Sequence, residues 1–199
     1  MYTPKNFDSL LGTPGFSDTL LKNHFTLYGG YVTNVNKLTD ELTALVKGGM
    51  QATPQYAEMK RRFGWEWNGM KLHELYFGNM SKTPKKFEEL EIPSEVEGMG
   101  LAEKIKAQFG SHEAWEKDFK ATGAMRGIGW SIFYHDRAND TLFNTWVNEH
   151  DMGHLAGCNP LLILDVFEHA YITDYGIKRA DYIEAFFKAI DWEVVGKRL

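Results

Sequence analysis

The chain has 199 residues, of which 43% are hydrophobic and 25% are charged. This is the composition of a globular domain that can bury a substantial core, and it argues against a disordered chain. The 22 Lys and Arg residues are outnumbered by 27 Asp and Glu residues, giving a formal net charge of −5. This balance argues against a general nucleic-acid binder, which carries a basic patch or stripe.

The first half of the chain is predicted to be helical. Ser17 or Asp18 can cap a helix, and apolar residues recur at helical spacing over residues 20–46. A second helix is expected over residues 54–80, where two internal glycines allow a break. Residues 81–100, a charged segment with two prolines and two glycines, are the best candidate for a linker between an N-terminal helical domain, 1–90, and a C-terminal domain, 91–199.

The second half is predicted to mix helices and strands. Residues 101–109 and the segment from Ser111 to about Met125 are expected to be helical. Aromatic and β-branched residues flank a good turn at 138–140, which predicts a β-hairpin, and the apolar run that follows Asn159 is expected to form a buried strand. An amphipathic helix is predicted near the C-terminus. The residues therefore predict the α+β class, with an all-α N-terminal part and a mixed C-terminal part that holds a β-hairpin.

The sequence lacks features of membrane and disulfide-bonded proteins. No apolar segment approaches the roughly 18–20 residues that cross a bilayer, and the first residues show no signal-peptide pattern. Cys158 is the single cysteine, so no intrachain disulfide can form, which suits a reducing compartment. We expect a cytoplasmic protein with no membrane and no nucleic-acid partner.

Asp165 ends the apolar run, and His169 follows four residues later. Burying a charge is costly unless it is paired or bound to a metal, so the D-x-x-x-H pair predicts a partner. Two further histidines would complete a set that suits iron or manganese and leaves an open position. Zinc also accepts such ligands. By spacing alone the motif is weak, because most single histidines on apolar faces are hydrogen-bonded core residues.

The chain contains seven histidines. His24, His73 and His169 occupy apolar, helix-like or strand-like positions. His112 follows a helix cap and His135 lies near a turn, so these two are expected to be solvated.

Four segments resemble, in the same order, signatures of the iron/manganese superoxide dismutase family. DVFEHAYITDYGIKRADY resembles D-V-W-E-H-A-Y and its continuation D-Y-x-N-x-R-P-D-Y, and GYVTNVNKL resembles T-Y-V-x-N-x-N. HELYFGN resembles H-x-x-Y-W-x-N, and GIGWSIF resembles G-S-G-W-x-W. The matches extend from about residue 20 to the C-terminus. The resemblance implies a long N-terminal helical hairpin, a C-terminal α+β part with a small antiparallel sheet, and a metal site between them. It also implies one iron or manganese ion per subunit, superoxide as the substrate, and a homodimer or tetramer.

The resemblance implies that His24, His73, Asp165 and His169 are the metal ligands. The family places its first histidine eight residues before the tyrosine of Y-V-x-N, whereas His24 precedes Tyr31 by seven. Ungapped counting would select Asn23. Helix geometry favours His24, because seven steps come within about 20° of two whole turns. We therefore expect a regular first helix, and the longer family pattern would contain an extra residue, as in a helix bulge.

Other positions around the metal follow from the same resemblance. Tyr31 corresponds to the tyrosine at the substrate entrance, and Trp130 and Phe167 to aromatic walls of the pocket, although core packing alone would explain such residues. Family members hydrogen-bond the metal-bound solvent with a polar side chain. Iron types and manganese types use glutamine, and a third group uses histidine. His150 is preferred for this role over His154; a solvated loop residue is the alternative for both.

The resemblance also concerns the subunit interface. Glu168 is expected to reach across a dimer to His169 of the partner subunit; otherwise it is an exposed charge. The family's inter-subunit pair of histidine and tyrosine is absent, because the tyrosine position holds Ile172. Arg179 is the candidate for a basic residue near the entrance.

Two other function classes remain open at the level of sequence. The first is a metal-binding protein of the same fold without efficient turnover, which the absent inter-subunit pair and the altered spacing before Tyr31 would suit. The second is a non-haem iron oxygenase. That class uses two histidines and one carboxylate, so a third histidine argues against it.

Overall fold

The computed structural model describes residues 1–90 and 99–199. Its N-terminal part is a hairpin of two long helices. Helix α1 covers Asp18–Lys47, and the cap residue Ser17 accepts a hydrogen bond from the backbone of Leu20. Helix α2 covers Pro54–Gly78. Because residues 48–53 alone join the helices and the two pack along each other, they run antiparallel. The periodicity predicted the two helices, and the family resemblance implied their hairpin.

Helix α2 is continuous through Gly64 and Gly69, so the break that the sequence allowed does not occur. A glycine costs a helix about 1 kcal/mol relative to alanine, and packing against α1 offsets this cost. At Gly69 the missing side chain is also required by the packing, since a Cβ atom there would lie 2.6 Å from the ring of Tyr31.

The C-terminal part contains five helices and a sheet among the residues that the structure describes. The helices are α3 (Leu101–Phe109), α4 (His112–Gly123), α5 (Ile172–Tyr175), α6 (Arg179–Ala189) and α7 (Trp192–Gly196). The strands are β1 (Gly129–Asp136), β2 (Thr141–Asn148) and β3 (Asn159–Asp165). They form an antiparallel sheet in the order β2-β1-β3. The predicted α+β class is therefore confirmed.

The sheet register brings two candidate site residues together. In the central strand β1, Trp130 pairs with Val147 of β2 and with Asp165 of β3. Both Trp130 and Asp165 are fully buried. The end of β3 therefore places the carboxylate of Asp165 beside the indole of Trp130, on the side of the sheet where the helical hairpin packs.

The two parts of the chain share one hydrophobic core. The ring of Tyr76 on α2 stacks on Phe186 of α6, with centroids 5.7 Å apart and planes 10° apart. The amide of Asn79 donates to the carbonyl of Ile163 in β3 at 2.7 Å. The sequence places a domain boundary between residues 90 and 91. Residue 91 lies outside the described part of the chain, so this boundary stays a prediction. The described start of the linker packs onto the C-terminal part, since Ser81 N–H donates to Ala189 O at 2.9 Å.

The expectation that His112 and His135 are solvated is wrong. The ring of His112 stacks on Phe87 at a centroid distance of 3.7 Å, because the start of α4 faces an aromatic cluster. His135 is 5% exposed and bonds Asp140 at 2.8 Å, because it lies on the buried central strand. None of the helices in the described ranges combines the length and apolarity needed to cross a membrane.

Candidate metal centre

Four side chains from separate elements converge between the hairpin and the sheet. His24 lies on α1, His73 on α2, Asp165 at the end of β3, and His169 in the 3₁₀ turn Glu168–Ala170. One ligand atom from each lies within 4.8 Å of the other three. His24, His73 and Asp165 are at most 1% exposed, whereas the side chain of His169 is 25% exposed.

The convergence point is one oxygen of Asp165. Oδ2 lies 3.2 Å from Nε2 of His24, 3.2 Å from Nε2 of His169 and 3.6 Å from Nε2 of His73. The other oxygen, Oδ1, accepts the backbone N–H of Phe167 at 2.8 Å. This bond orients the carboxylate so that Oδ2 faces the three imidazoles.

The tautomer of His73 shows that the site suits a cation. Its Nδ1 lies 2.5 Å from the carbonyl oxygen of Gly69, and a carbonyl can only accept, so Nδ1 carries the hydrogen. Burial first, and the charge of His24 second, lower the pKa of His73 well below its ordinary value, which keeps the ring neutral. Its Nε2 lone pair therefore faces Asp165, and Nε2 has no hydrogen-bond partner in the described chain. A lone pair buried against a carboxylate is unfavourable unless a cation lies between them.

The electrostatics of the other ligand candidates point the same way. Burial would raise the pKa of Asp165, but the charge of His169 and hydrogen bonds from His169 and His24 lower it well below its usual range. Burial lowers the pKa of His24 despite the neighbouring carboxylate. Burial would lower the pKa of His169, but the charge of Asp165 and its hydrogen bond raise it above its ordinary value. The site therefore combines an anionic carboxylate with three imidazoles, which are the ligand types that iron, manganese and zinc accept.

The structure distinguishes His24 from Asn23. Asn23 is exposed, whereas His24 is 1% exposed and faces the convergence point. Helix α1 is an unbroken α-helix over Asp18–Lys47, so seven residues bring Tyr31 onto the face of His24. The ring of Tyr31 stacks on His73 at a centroid distance of 5.1 Å.

A directional hydrogen-bond chain borders the site. The indole Nε1–H of Trp130 donates to Nδ1 of His150 at 3.1 Å, and Nε2 of His150 lies 2.8 Å from the hydroxyl of Tyr31. Burial lowers the pKa of His150 to about 4, so the ring is neutral near pH 7. Because Nδ1 accepts, Nε2 carries the hydrogen and donates to Tyr31.

Aromatic rings close the site around this chain. Phe167 stacks on His150 at 4.8 Å and on His169 at 5.2 Å. Trp130 meets His73 edge-to-face at 5.0 Å. Sequence reasoning missed Trp65, whose ring lies 4.5 Å from that of His150. Its spacing of eight residues from His73 along α2 was the available signal, because residues i, i+4 and i+8 form one stripe on a helix.

The residues expected at the subunit interface and at the entrance lie nearer the surface than His24, His73 and Asp165. Glu168 is exposed, and Ile172 is 51% exposed. Arg179 donates to the carbonyls of Met125 and Gly127 at 2.6 Å and 2.8 Å. Arg179 therefore holds the segment before β1, and its place near an entrance stays a prediction.

Comparisons with known proteins agree with this geometry. A family model described as iron/manganese superoxide dismutases, C-terminal domain, matches residues 96–198. The chain is 36% identical over 191 residues to superoxide dismutase (Mn) 2 of Haloferax volcanii, covering 96% of this chain and 89% of that protein. It is 34% identical over 200 residues to superoxide dismutase (Fe) of Saccharolobus solfataricus, covering 98% and 90%. It is 36% identical over 200 residues to superoxide dismutase (Fe) of Aquifex pyrophilus, covering 98% and 89%.

Proposed function

Since this chain belongs to the iron/manganese superoxide dismutase family, we propose that it converts superoxide to dioxygen and hydrogen peroxide at a single iron or manganese ion. The ligands are His24, His73, Asp165 and His169. The observation that supports this proposal most directly is the convergence of three imidazole nitrogens on Oδ2 of Asp165, at 3.2 to 3.6 Å. A relative named for manganese is 36% identical to this chain and one named for iron is 34% identical, so the proposal covers either metal.

An ion held by His24, His73, Asp165 and His169 would supply the one-electron redox chemistry that this reaction needs. The net reaction consumes two superoxide anions and two protons and yields one dioxygen and one hydrogen peroxide. The protein's own residues bind and orient the anion, hold protons close by and exclude bulk water. The buried ligand set and its aromatic walls serve the last of these roles.

Tyr31 is the residue best placed to present a proton. Burial first, and the charges of Asp165 and Glu66 next, raise the pKa of Tyr31 well above its ordinary value. The phenol therefore stays protonated at neutral pH. Because its oxygen accepts from His150, its own hydrogen is available to an anion or a water molecule in the site. His150 and Trp130 thus orient Tyr31 and set the direction of the hydrogen-bond chain.

A homodimer is part of the proposal. Glu168 is exposed, and the ring of the next residue, His169, is partly exposed, so Glu168 can pair with His169 of the partner subunit. This pair would connect ligand geometry to subunit contact, and a tetramer built from such dimers is also compatible with it. A cytoplasmic location stays a prediction that rests on the single cysteine.

One observation favours a second candidate, a metal-binding protein of this fold without efficient turnover. The position where the family carries an interface tyrosine holds Ile172, which has no hydroxyl and is half exposed. A proton route through that tyrosine cannot operate here. The first candidate then requires that the chain from Trp130 through His150 to Tyr31 be sufficient.

Metal content and superoxide removal, measured on one preparation, separate the two candidates. We expect about one iron or manganese ion per chain and rapid removal of superoxide in stopped-flow measurements. Stoichiometric metal without turnover would select the second candidate. Asp165→Asn is the negative control and should show neither metal nor turnover, because it keeps the side-chain shape and removes the charge that holds the cation.

A further inference from the structure

His154 is hydrogen-bonded through both ring nitrogens. Its Nε2 lies 2.9 Å from the carbonyl oxygen of His150, and its Nδ1 lies 2.8 Å from the hydroxyl of Tyr134. The carbonyl can only accept, so Nε2 carries the hydrogen and donates to His150. In the neutral ring Nδ1 then accepts the Tyr134 hydroxyl. Tyr134 is 3% exposed and belongs to the central strand β1.

The backbone that carries His150 forms a tight turn after β2. Glu149 has a φ of +50°, which is uncommon for a residue other than glycine. Asn148 and Met152 exchange backbone hydrogen bonds of 2.7 Å and 3.3 Å, so the base of the turn is fixed. These bonds do not reach the carbonyl of His150. Within the described chain, His154 is the donor to that carbonyl.

We propose that His154 is a positioning residue for the reaction: with Tyr134 it holds the backbone of His150, and so fixes the contact of His150 with Tyr31. This inference rests on the proposed function. His150 must satisfy Trp130 at 3.1 Å and Tyr31 at 2.8 Å at once. Hydrogen bonds of this kind have a narrow range, about 2.7–3.2 Å. A shift of a few tenths of an ångström in the turn would therefore weaken both contacts.

The role of His154 differs from the alternative of a solvated loop residue. A solvated histidine could be replaced freely. In this structure its ring is half buried and bridges the sheet to the turn. It touches none of the four candidate ligands by any hydrogen bond in the described chain, so its loss should leave metal binding intact while it alters the position of His150.

The test compares His154→Leu with His154→Gln in the metal-loaded 199-residue chain. Glutamine places an amide N–H near the position of Nε2 and can still donate to His150, whereas leucine fills the space without a donor. The probe is sodium azide, a small anion whose binding at the metal is followed by visible absorption. We expect His154→Leu to keep its metal, to change the azide Kd by about tenfold and to lose a similar factor in turnover. His154→Gln should recover most of both.

Equal behaviour of the Leu and Gln variants would overturn the positioning role, because it would show that His154 only fills space. A wild-type azide Kd in His154→Leu would overturn it as well. If His154→Leu does not fold, Tyr134→Phe provides the second variant. It removes one oxygen, frees Nδ1 to carry the hydrogen, and should shift the azide Kd in the same direction by a smaller factor; an unchanged Kd would contradict the proposal.

The azide measurement also separates this inference from the proposed function. A wild-type protein that binds metal and azide but does not remove superoxide would contradict the dismutase proposal. The azide Kd of the His154 variants would still decide whether His154 positions His150.

Discussion

The hydroxyl oxygen of Tyr31 lies 2.8 Å from Nε2 of His150, although 119 residues separate the two in sequence. Some family members use glutamine in the role expected of His150, and the glutamine amide has two hydrogens to donate. Neutral histidine has a single ring N–H. Because Trp130 occupies Nδ1, that single N–H is directed at Tyr31. Tyr31, rather than His150, therefore presents a hydrogen to the site, and in the proposed reaction His150 would act on solvent or substrate through Tyr31.

Alanine variants of the four candidate ligands should each lose most of the bound metal. Each variant removes one of the four candidate ligands; the set is His24→Ala, His73→Ala, Asp165→Ala and His169→Ala. Metal analysis of the purified proteins will detect the loss of the ion. Asn23→Ala is the matched control, because Asn23 is exposed beside His24 and should keep full metal. Full metal in His24→Ala would disprove the ligand assignment.

His150→Leu should keep most of its metal and lose turnover by about 10- to 100-fold, the usual cost of removing a hydrogen-bond partner near a metal site. The physical reason is the loss of the donor that orients Tyr31. His150→Gln is the control, since its amide can accept from Trp130 and donate to Tyr31, and it should recover much of the loss. If His150→Leu turns over like wild type, the hydrogen-bond chain has no role in the reaction.

Gly69→Ala should destabilise the protein and reduce turnover, because its Cβ would lie 2.6 Å from the ring of Tyr31. Overpacking of this kind costs roughly 1–3 kcal/mol. Gly64→Ala lies on the same helix with nothing within 4 Å of its Cβ, and should stabilise by up to about 1 kcal/mol. Thermal unfolding and turnover of the two variants will show whether the effects have opposite signs, as they must if contact with Tyr31 is the cause.

Glu168→Ala should weaken the dimer and lower the metal content together, because the carboxylate is expected to pair with His169 of the partner subunit. Sedimentation velocity and metal analysis on the same sample measure both effects. Asp40→Ala, which removes an exposed carboxylate from α1, should change neither. A Glu168→Ala protein that stays dimeric and fully loaded would mean that Glu168 is only a solvated charge.

Glu74 should contribute stability that acid removes. Its carboxylate bonds Lys5 at 3.0 Å and Lys71 at 3.1 Å. Burial would raise the pKa of Glu74, but the two lysines lower it below its ordinary value of 4.5. A carboxyl group with a lowered folded-state pKa stabilises the protein above its unfolded pKa, and this contribution is lost as the pH falls through the folded pKa.

Glu74→Gln should therefore lower the free energy of unfolding at pH 7 by about 0.5–1 kcal/mol and flatten its decline below pH 4.5. Urea denaturation at several pH values measures both quantities. Glu58→Gln is the control, because the side chain of Glu58 is 72% exposed and should have little effect. Parallel pH profiles for wild type and Glu74→Gln would contradict the assigned role.

The sequence by itself determined the main elements and predicted the candidate ligand set. The periodicity and the cap at Ser17 predicted α1, and the turn at 138–140 predicted the hairpin of β1 and β2, because both are local properties of the chain. Asp165 and His169 were recognised because they lie four residues apart at the end of an apolar strand. Their partners on α1 and α2 followed from family resemblance and helix geometry.

Only the tertiary structure decided which distant side chains meet. Three contacts join residues that are far apart in sequence. Trp65 contacts His150, Tyr31 occupies the space beside Gly69, and Tyr134 is hydrogen-bonded to His154. Such contacts depend on how α2 packs on α1 and on the sheet, and on the path of one turn, and no local pattern encodes these. For the same reason a histidine that could be read as solvated, His154, is bonded through both nitrogens in the fold.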